Sequence, residues 1–215
     1  MGVAEREWSL PIQHPLTKPL IALDCDGVLL DLNLAYAKAW ERYSGSYPAE
    51  IDPHAYWHHE RWDVRRLSGD QLIAFRAFFD EDFWSDIPQI AGAVEACHRL
   101  RGGGHELVCV TALEDKFANA RLANLQAHGF PISRVFATGH QSGSVSPKAE
   151  VIHQLNPAAF VDDFLPYMEG IRADIHTALI LRGPNGSPNV GPALSTVGST
   201  HSDLSAFTDW WLAQS

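Results

Sequence analysis

Five short apolar runs punctuate the chain, and between them hydrophobic positions recur at helical spacing. Leu20-Ile21-Ala22-Leu23 comes first, closed by Asp24 and bounded by Pro19 and Gly27. Leu107-Val108-Cys109-Val110 ends at Thr111, and Ala159-Phe160-Val161 ends at Asp162. Val135-Phe136-Ala137 is a weaker run, and Ala178-Leu179-Ile180-Leu181 is the last. Runs this short, apolar rather than alternating, fit strands buried on both faces of a parallel sheet. Ala118, Leu122 and Leu125 fall at i, i+4 and i+7 in a stretch that stops at Gly129. Lys148, Val151, Ile152 and Leu155 repeat with helical period after Pro147, a residue suited to a first helical position. Leu204, Phe207 and Trp211 predict a closing helix. Strands alternating with helices predict an α/β protein with a parallel sheet covered on both faces.

One segment breaks the alternation. Residues 31–86 carry no strand pattern, but Leu72, Phe75 and Phe79 sit at i, i+3 and i+7, among Trp40, Trp57, Trp62 and Trp84. At about 55 residues the segment exceeds an ordinary connection several-fold. It predicts a small helical cap subdomain inserted after the first strand, above that strand's C-terminal end. Residues 1–30 and 87–215 would then form the Rossmann-like core. Residues 183–200, rich in Gly, Pro and Ser, predict a long loop.

Sixteen Lys and Arg against twenty-six Asp and Glu give a formal charge of −10. This argues against a nucleic-acid polymer as partner, since such binders carry a basic patch. It leaves room for a small phosphorylated ligand held by a few local cations. No run of about 18 apolar residues occurs, so no membrane partner is expected. Residues 1–19 do not read as a signal peptide. The cysteines Cys25, Cys97 and Cys109 are odd in number and form no CxxC pair. A reduced cytoplasm is the expected location. Nothing in the sequence bears on oligomeric state.

Ligands of open α/β sheets bind beyond the carboxyl ends of the strands. There the first strand delivers Asp24-Cys25-Asp26-Gly27, the second Thr111 and the fourth Asp162-Asp163, while Lys148 opens the helix leading into the fourth. Each has a plain structural alternative: helix cap, turn or solvated lysine. An adjacent acid pair after an apolar strand is harder to explain without a cation. Together they suit phosphate-ester chemistry. A phosphate monoester repels an anionic nucleophile, so its site must cancel charge and fix in-line geometry. Mg²⁺ is a hard, oxygen-seeking cation held by one or two carboxylates plus substrate phosphate. A lysine adds positive charge, and a threonine hydroxyl donates to a phosphoryl oxygen.

These residues resemble the motifs of the haloacid dehalogenase superfamily of phosphotransferases. Leu23-Asp24-Cys25-Asp26-Gly27-Val28-Leu29 matches the first motif, Val110-Thr111-Ala112 the second, Lys148 the third and Val161-Asp162-Asp163 the fourth. The insert lies where that superfamily carries its class 1 helical cap. Phe83-Trp84-Ser85-Asp86-Ile87-Pro88, leading to Gly92-Ala93, is similar to deoxyribonucleotidase-type 5′-nucleotidases, although Ala112-Leu113 follows Thr111 where those enzymes show Ser-Pro.

The resemblance implies that Asp24 is the nucleophile, forming an aspartyl-phosphate. It makes Asp26 the general acid and then base, with its backbone carbonyl a metal ligand. Asp24 and Asp163 would hold Mg²⁺ directly, with Asp162 behind them. An acid at position 26 points to a phosphatase or phosphomutase, and the expected activity is that of a phosphatase of small phosphomonoesters, a nucleoside monophosphate being one candidate. The alternatives are a sugar phosphomutase and a catalytically weak scaffold or binding relative.

In the insert, Phe75, Phe79 and Trp84 are candidates for substrate contact, against the alternative of a small aromatic core. Arg61, Arg65 and Arg66 could hold a second phosphate but fit a solvated helix face. His58 and His59, being adjacent, are expected to face different ways, and they suggest no zinc site. Cys25, between two acids, is expected to have a raised thiol pKa and to be inert.

Overall fold

The structure, a computed structural model, describes residues 18–139 and 146–214. The reading of residues 1–19 as lacking a signal peptide falls almost wholly outside them. Six strands form one parallel sheet: β1 (Leu20–Leu23), β2 (Glu106–Thr111), β3 (Val135–Ala137), β4 (Ala159–Asp162), β5 (His176–Ile180) and β6 (Ser199–His201). Their order is β3-β2-β1-β4-β5-β6. The chain builds outward from β1 on one side, then returns to build outward on the other. The reversal lies between β1 and β4, where ligands of such sheets bind.

The inner strands β1, β2, β4 and β5 carry apolar runs because both of their faces are covered. Ile21, Leu23, Cys109, Val161 and Ile180 point into one buried cluster, closed by α5 (Ala93–Gly102) and α8 (Leu204–Leu212). Leu20, Ala22, Val108, Val110, Phe160 and Leu179 point into the other, closed by α7 (Ala149–Leu155) and the 3-10 turn Leu165–Met168. The alternation follows the two-residue period of a strand.

Residues 32–85 form four helices: α1 (Leu32–Ser44), α2 (His58–Arg61), α3 (Gly69–Arg76) and α4 (Glu81–Ser85). Asp31 caps α1 by accepting from the Leu34 amide at 3.0 Å, and Asp80 caps α4 by accepting from the Phe83 amide at 2.9 Å. α4 packs on α6 (Ala118–Ala127), where Asn124 donates to the carbonyls of Ser85 and Ile87 at 2.8 and 3.2 Å. The Trp62 indole donates to the Asn33 carbonyl at 2.8 Å, tying the α2–α3 connection to α1.

Four expectations are corrected. α3 ends at Arg76, so Phe79 lies in the turn before α4 rather than on the helix. α5 was not predicted, because its inward face is made of small residues, Ala93, Ala96 and Cys97, with one large one, Leu100. The loop over 183–200 contains a 3-10 turn, Pro192–Thr196, and leads into β6. That strand is a polar three-residue edge, Ser-Thr-His, and so carries no hydrophobic signal. Pro147 precedes the α7 cap residue, Lys148, instead of opening the helix.

Candidate active site

Register brings the acids together. Leu23 pairs with Val161, so Asp24 and Asp162 leave neighbouring strands side by side, and the Asp24 amide donates to the Val161 carbonyl at 2.8 Å. Asp24, Asp162 and Asp163 are all buried, and each offers a carboxylate oxygen within 4.8 Å of the others. Lys148 is wholly buried and reaches between them, its Nζ 2.6 Å from Asp24 Oδ1 and 2.6 Å from Asp162 Oδ2. Two rings lie beside it, Tyr167 with its centroid 4.8 Å from Nζ and Phe160 at 5.8 Å. Burial works to discharge Lys148, but Asp162 and Asp24 outweigh it, so its pKa rises and the ammonium is held.

Asp162 has both oxygens engaged, Oδ2 by Lys148 and Oδ1 by the Phe164 amide at 2.9 Å. Burial pushes its carboxyl well up, against the pull of Lys148. Asp163 is raised to about 6, burial again being the main cause and the Arg182 guanidinium the main opposition. Arg182 Nε donates to Asp163 Oδ2, leaving Oδ1 with no partner among the described residues. The Asp163 carbonyl accepts from Asn189 Nδ2 at 2.7 Å and from the Tyr56 hydroxyl at 3.2 Å. Three buried carboxylates thus face two cations, Lys148 and Arg182. This hard, oxygen-only donor set with one negative charge in excess fits a divalent cation such as Mg²⁺.

Gly27 is what allows the close approach. Its φ of +87° suits glycine, and a Cβ there would collide with Arg182 Nε and the Asp163 carboxylate. Thr111 ends β2 beside β3, and its hydroxyl has no partner among the described residues, while its carbonyl accepts from the Thr138 amide at 2.9 Å. Cys25 is raised as expected, but burial is the main cause and the Cys109 thiol the second, with Asp26 a minor one.

Asp26 does not join the triad. Its Oδ2 accepts from Arg121 Nη2 at 3.0 Å, and Arg121 Nη1 lies 2.9 Å from Oδ1 without hydrogen-bond alignment. Arg121, on α6, is wholly buried, packs its guanidinium 5.0 Å from the Trp84 ring, and leaves Nε without a hydrogen bond. Burial raises the Asp26 carboxyl, Arg121 opposes and Asp24 adds to the rise; the net shift is upward. Sequence reasoning missed both Arg121 and Arg182. Arg121 sits amid a helical repeat with no local motif, whereas Arg182 stands just beyond a predicted strand end, the position that marks the acids of the site.

Asp26, Ala112 and Leu113 floor a cavity of about 750 Å³ that the segment 32–85 walls. Phe79 and Trp84 line it, half-buried; Phe75 also touches it but is chiefly core, with Tyr36, Trp40 and Tyr43 around it. His58 and His59 both line it, contrary to the expectation that they face different ways. Arg65 and Arg66 lie in the coil between α2 and α3, on the cavity wall rather than on a helix face. Arg61 turns away to pair with Glu50 at 2.7 Å.

No protein-family model and no curated protein matches the sequence. Solved structures do. A hydrolase from Deinococcus radiodurans, determined with bound phosphate and sodium, aligns with a TM-score of 0.61 over 92% of this chain and 98% of its own, at 16% identity. A hydrolase from Streptococcus pneumoniae aligns with 0.60 over 90% and 98%, at 17% identity. The chain has the haloacid dehalogenase-like fold. A defluorinating L-2-haloacid dehalogenase also shares it, with a TM-score of 0.58 over 94% and 99%, at 12% identity. The haloacid dehalogenase-like fold therefore spans proteins of different activities, and the reaction depends on the side chains this chain places at the strand ends.

Proposed function

We propose that this chain is a Mg²⁺-dependent phosphatase of small phosphomonoesters, working through an aspartyl-phosphate on Asp24. The observation that carries the reading is Asp26, a carboxyl with a raised pKa on the floor of the cavity, two residues beyond the buried cluster of Asp24, Asp162 and Asp163. A phosphate ester needs a proton for its leaving oxygen, and this group is positioned to give one. Asp24 and Asp163 would hold Mg²⁺, with the Asp26 carbonyl, and Asp162 would anchor Lys148. Bound there, the ion would offset charge on the phosphoryl oxygens.

The chain's own groups account for the rest. An Asp24 oxygen attacks phosphorus as the bond to the leaving oxygen breaks, and Asp26 passes its proton to that oxygen. Asp26, now a carboxylate beside Arg121, then takes a proton from water as the water oxygen attacks the aspartyl-phosphate. The bond from Asp24 to phosphorus breaks, and inorganic phosphate leaves. Lys148 steadies the Asp24 carboxylate, and the free Thr111 hydroxyl can donate to a phosphoryl oxygen. Residues 31–86 act as the cap. They enclose the leaving group, with Phe79 and Trp84 in contact with it, while the core grips the phosphoryl group.

The test is phosphate release from 4-nitrophenyl phosphate with Mg²⁺ and with EDTA, on the parent and on Asp24→Asn. Release is expected only from the parent with Mg²⁺. In Asp26→Asn, a mass increase of one phosphoryl group on Asp24 is expected, because hydrolysis of the intermediate lacks its base. Full release in EDTA, or turnover by Asp24→Asn above a few per cent of the parent, would overturn the reading.

A further inference from the structure

The cavity over Asp26 carries a second feature that the phosphoryl chemistry does not use. Arg65, Arg66 and Arg76 all line it, all three are exposed, and none of their guanidinium groups makes a hydrogen bond or ion pair among the described residues. This sets them apart from every other described arginine but Arg134. Arg42, Arg61, Arg99, Arg121, Arg172 and Arg182 each face a carboxylate. Arg101 donates to a carbonyl, and Arg134 lies over a ring. A chain with net charge −10 has acids to spare, so three unpaired arginines gathered on one wall are not explained by a shortage of partners. The other charges of the cavity do not neutralise them. Glu114 is taken by Lys116 at 2.7 Å, and Asp26 by Arg121.

We infer that the leaving group of the substrate carries a second anionic group, a carboxylate or a phosphoryl group, which Arg65, Arg66 and Arg76 receive while the reacting phosphoryl group lies at Asp24. This rests on the phosphatase reading and narrows its substrate class. Arginine suits the task because its planar fork offers paired donors to either kind of anion. The positive wall would also draw a doubly anionic ester into a molecule whose overall charge repels it.

Three esters separate the possibilities: benzyl phosphate, 4-carboxybenzyl phosphate and 4-(phosphonomethyl)benzyl phosphate. Their methylene insulates the leaving oxygen from the added charge, so intrinsic reactivity stays close. The measured quantity is the ratio of kcat/KM for each anionic ester to that for benzyl phosphate, within one protein and at low salt. In the parent a ratio of about tenfold or more is expected for at least one anionic ester, as several exposed charge-assisted contacts together would give. The larger ratio identifies the carboxylate or the phosphoryl group as the favoured anion. The ratio should shrink with added salt. In the triple variant Arg65→Gln, Arg66→Gln, Arg76→Gln it should fall to near one, with melting temperature as the check on folding. A parent ratio near one, or a ratio that survives in the folded triple variant, overturns the inference while benzyl phosphate turnover keeps the phosphatase reading standing. Absence of turnover on all three esters with Mg²⁺ removes the phosphatase reading and this inference with it.

Discussion

Arg121 shows how one buried side chain can bear on the chemistry through another. Its guanidinium is sealed from solvent, and its one carboxylate partner among the described residues is Asp26. Arg121→Met would leave Asp26 without that counter-ion and free to turn from the cavity floor. Breaking one side of a buried pair costs about 3–5 kcal/mol. The Asp26 side chain keeps 23% exposure, so the low end of that range applies. A chain of this size loses about 2–4 °C of melting temperature per kcal/mol. The positioning role has a separate readout. An alkyl phosphate needs a proton on its leaving oxygen and 4-nitrophenyl phosphate scarcely does. Arg121→Met is expected to lower kcat at least tenfold more on the alkyl ester, and Arg121→Lys to recover part of that difference. Equal losses on both esters would leave Arg121 a purely structural residue. At this scale Asp24, Asp26, Thr111, Lys148, Asp162 and Asp163 were legible because each stands at a strand end or helix start that the apolar pattern marks. Arg121 was not legible, since its meaning comes from the packing of α6 against α4, a contact distant in sequence.

Between elements, the segment 32–85 divides its aromatic residues between two duties. Phe75 is 3% exposed and meets Tyr36, Trp40 and Tyr43 edge-on at 5.3 to 5.4 Å. Phe75→Ala should cost about 3–5 kcal/mol and depress turnover of all esters alike. Phe79 and Trp84 are half-buried on the cavity wall. An aromatic that stacks on a ring-bearing leaving group contributes roughly 1–3 kcal/mol. Phe79→Ala or Trp84→Ala should therefore lower kcat/KM about 5- to 150-fold for the best ring-bearing ester. A small aliphatic ester should be little affected. Melting curves recorded with the kinetics separate the two cases; parallel losses on both esters with a large fall in melting temperature would assign Phe79 and Trp84 to the core. The five predicted strands came through because each contains an apolar run, dense in four of them and weaker in β3. β6 was lost because an edge strand needs no apolar face, and α3 was drawn too long because Phe79 continues its period beyond the backbone's end.

The single-turn helix α2 carries a pH-sensitive contact, that of His58 with α1. His58 stacks on Tyr36 with ring centroids 4.0 Å apart, and its pKa is lowered to about 4 by burial, with His59 and Arg182 adding repulsion. In the unfolded chain a histidine titrates near 6.5. Between those values the unfolded state binds the extra proton, so stability falls as pH drops from about 6.5 towards 4. The contribution is fully present above that window. His58→Gln should flatten this part of the melting temperature against pH, relative to the parent. Superimposable curves for the two proteins would show that His58 is not held neutral by the fold.

For the molecule as a whole, the cost of gathering three buried carboxylates at the β1–β4 reversal sets the last prediction. Lys148 and Arg182 offset only part of that charge, and Asp162 and Asp163 are left with raised pKa values. A divalent cation bound to the folded state alone stabilises it by mass action, by about 2.7 kcal/mol at a hundred times its dissociation constant. At about 2–4 °C per kcal/mol this is a rise of roughly 5–11 °C in melting temperature. Mg²⁺ should produce the rise, EDTA should reverse it, and Asp163→Asn should abolish it by removing the carboxylate whose Oδ1 is free to take a ligand. Ca²⁺ should also raise the melting temperature, because the donors are all oxygen. Its longer bonds, about 2.3–2.6 Å against 2.0–2.1 Å, misplace the reacting groups, so it should not support turnover. Stabilisation by both ions with turnover from one would separate the charge-balancing role of the cluster from its geometric one. A melting temperature indifferent to both ions would mean that Lys148 and Arg182 already suffice and that the carboxylates hold no metal.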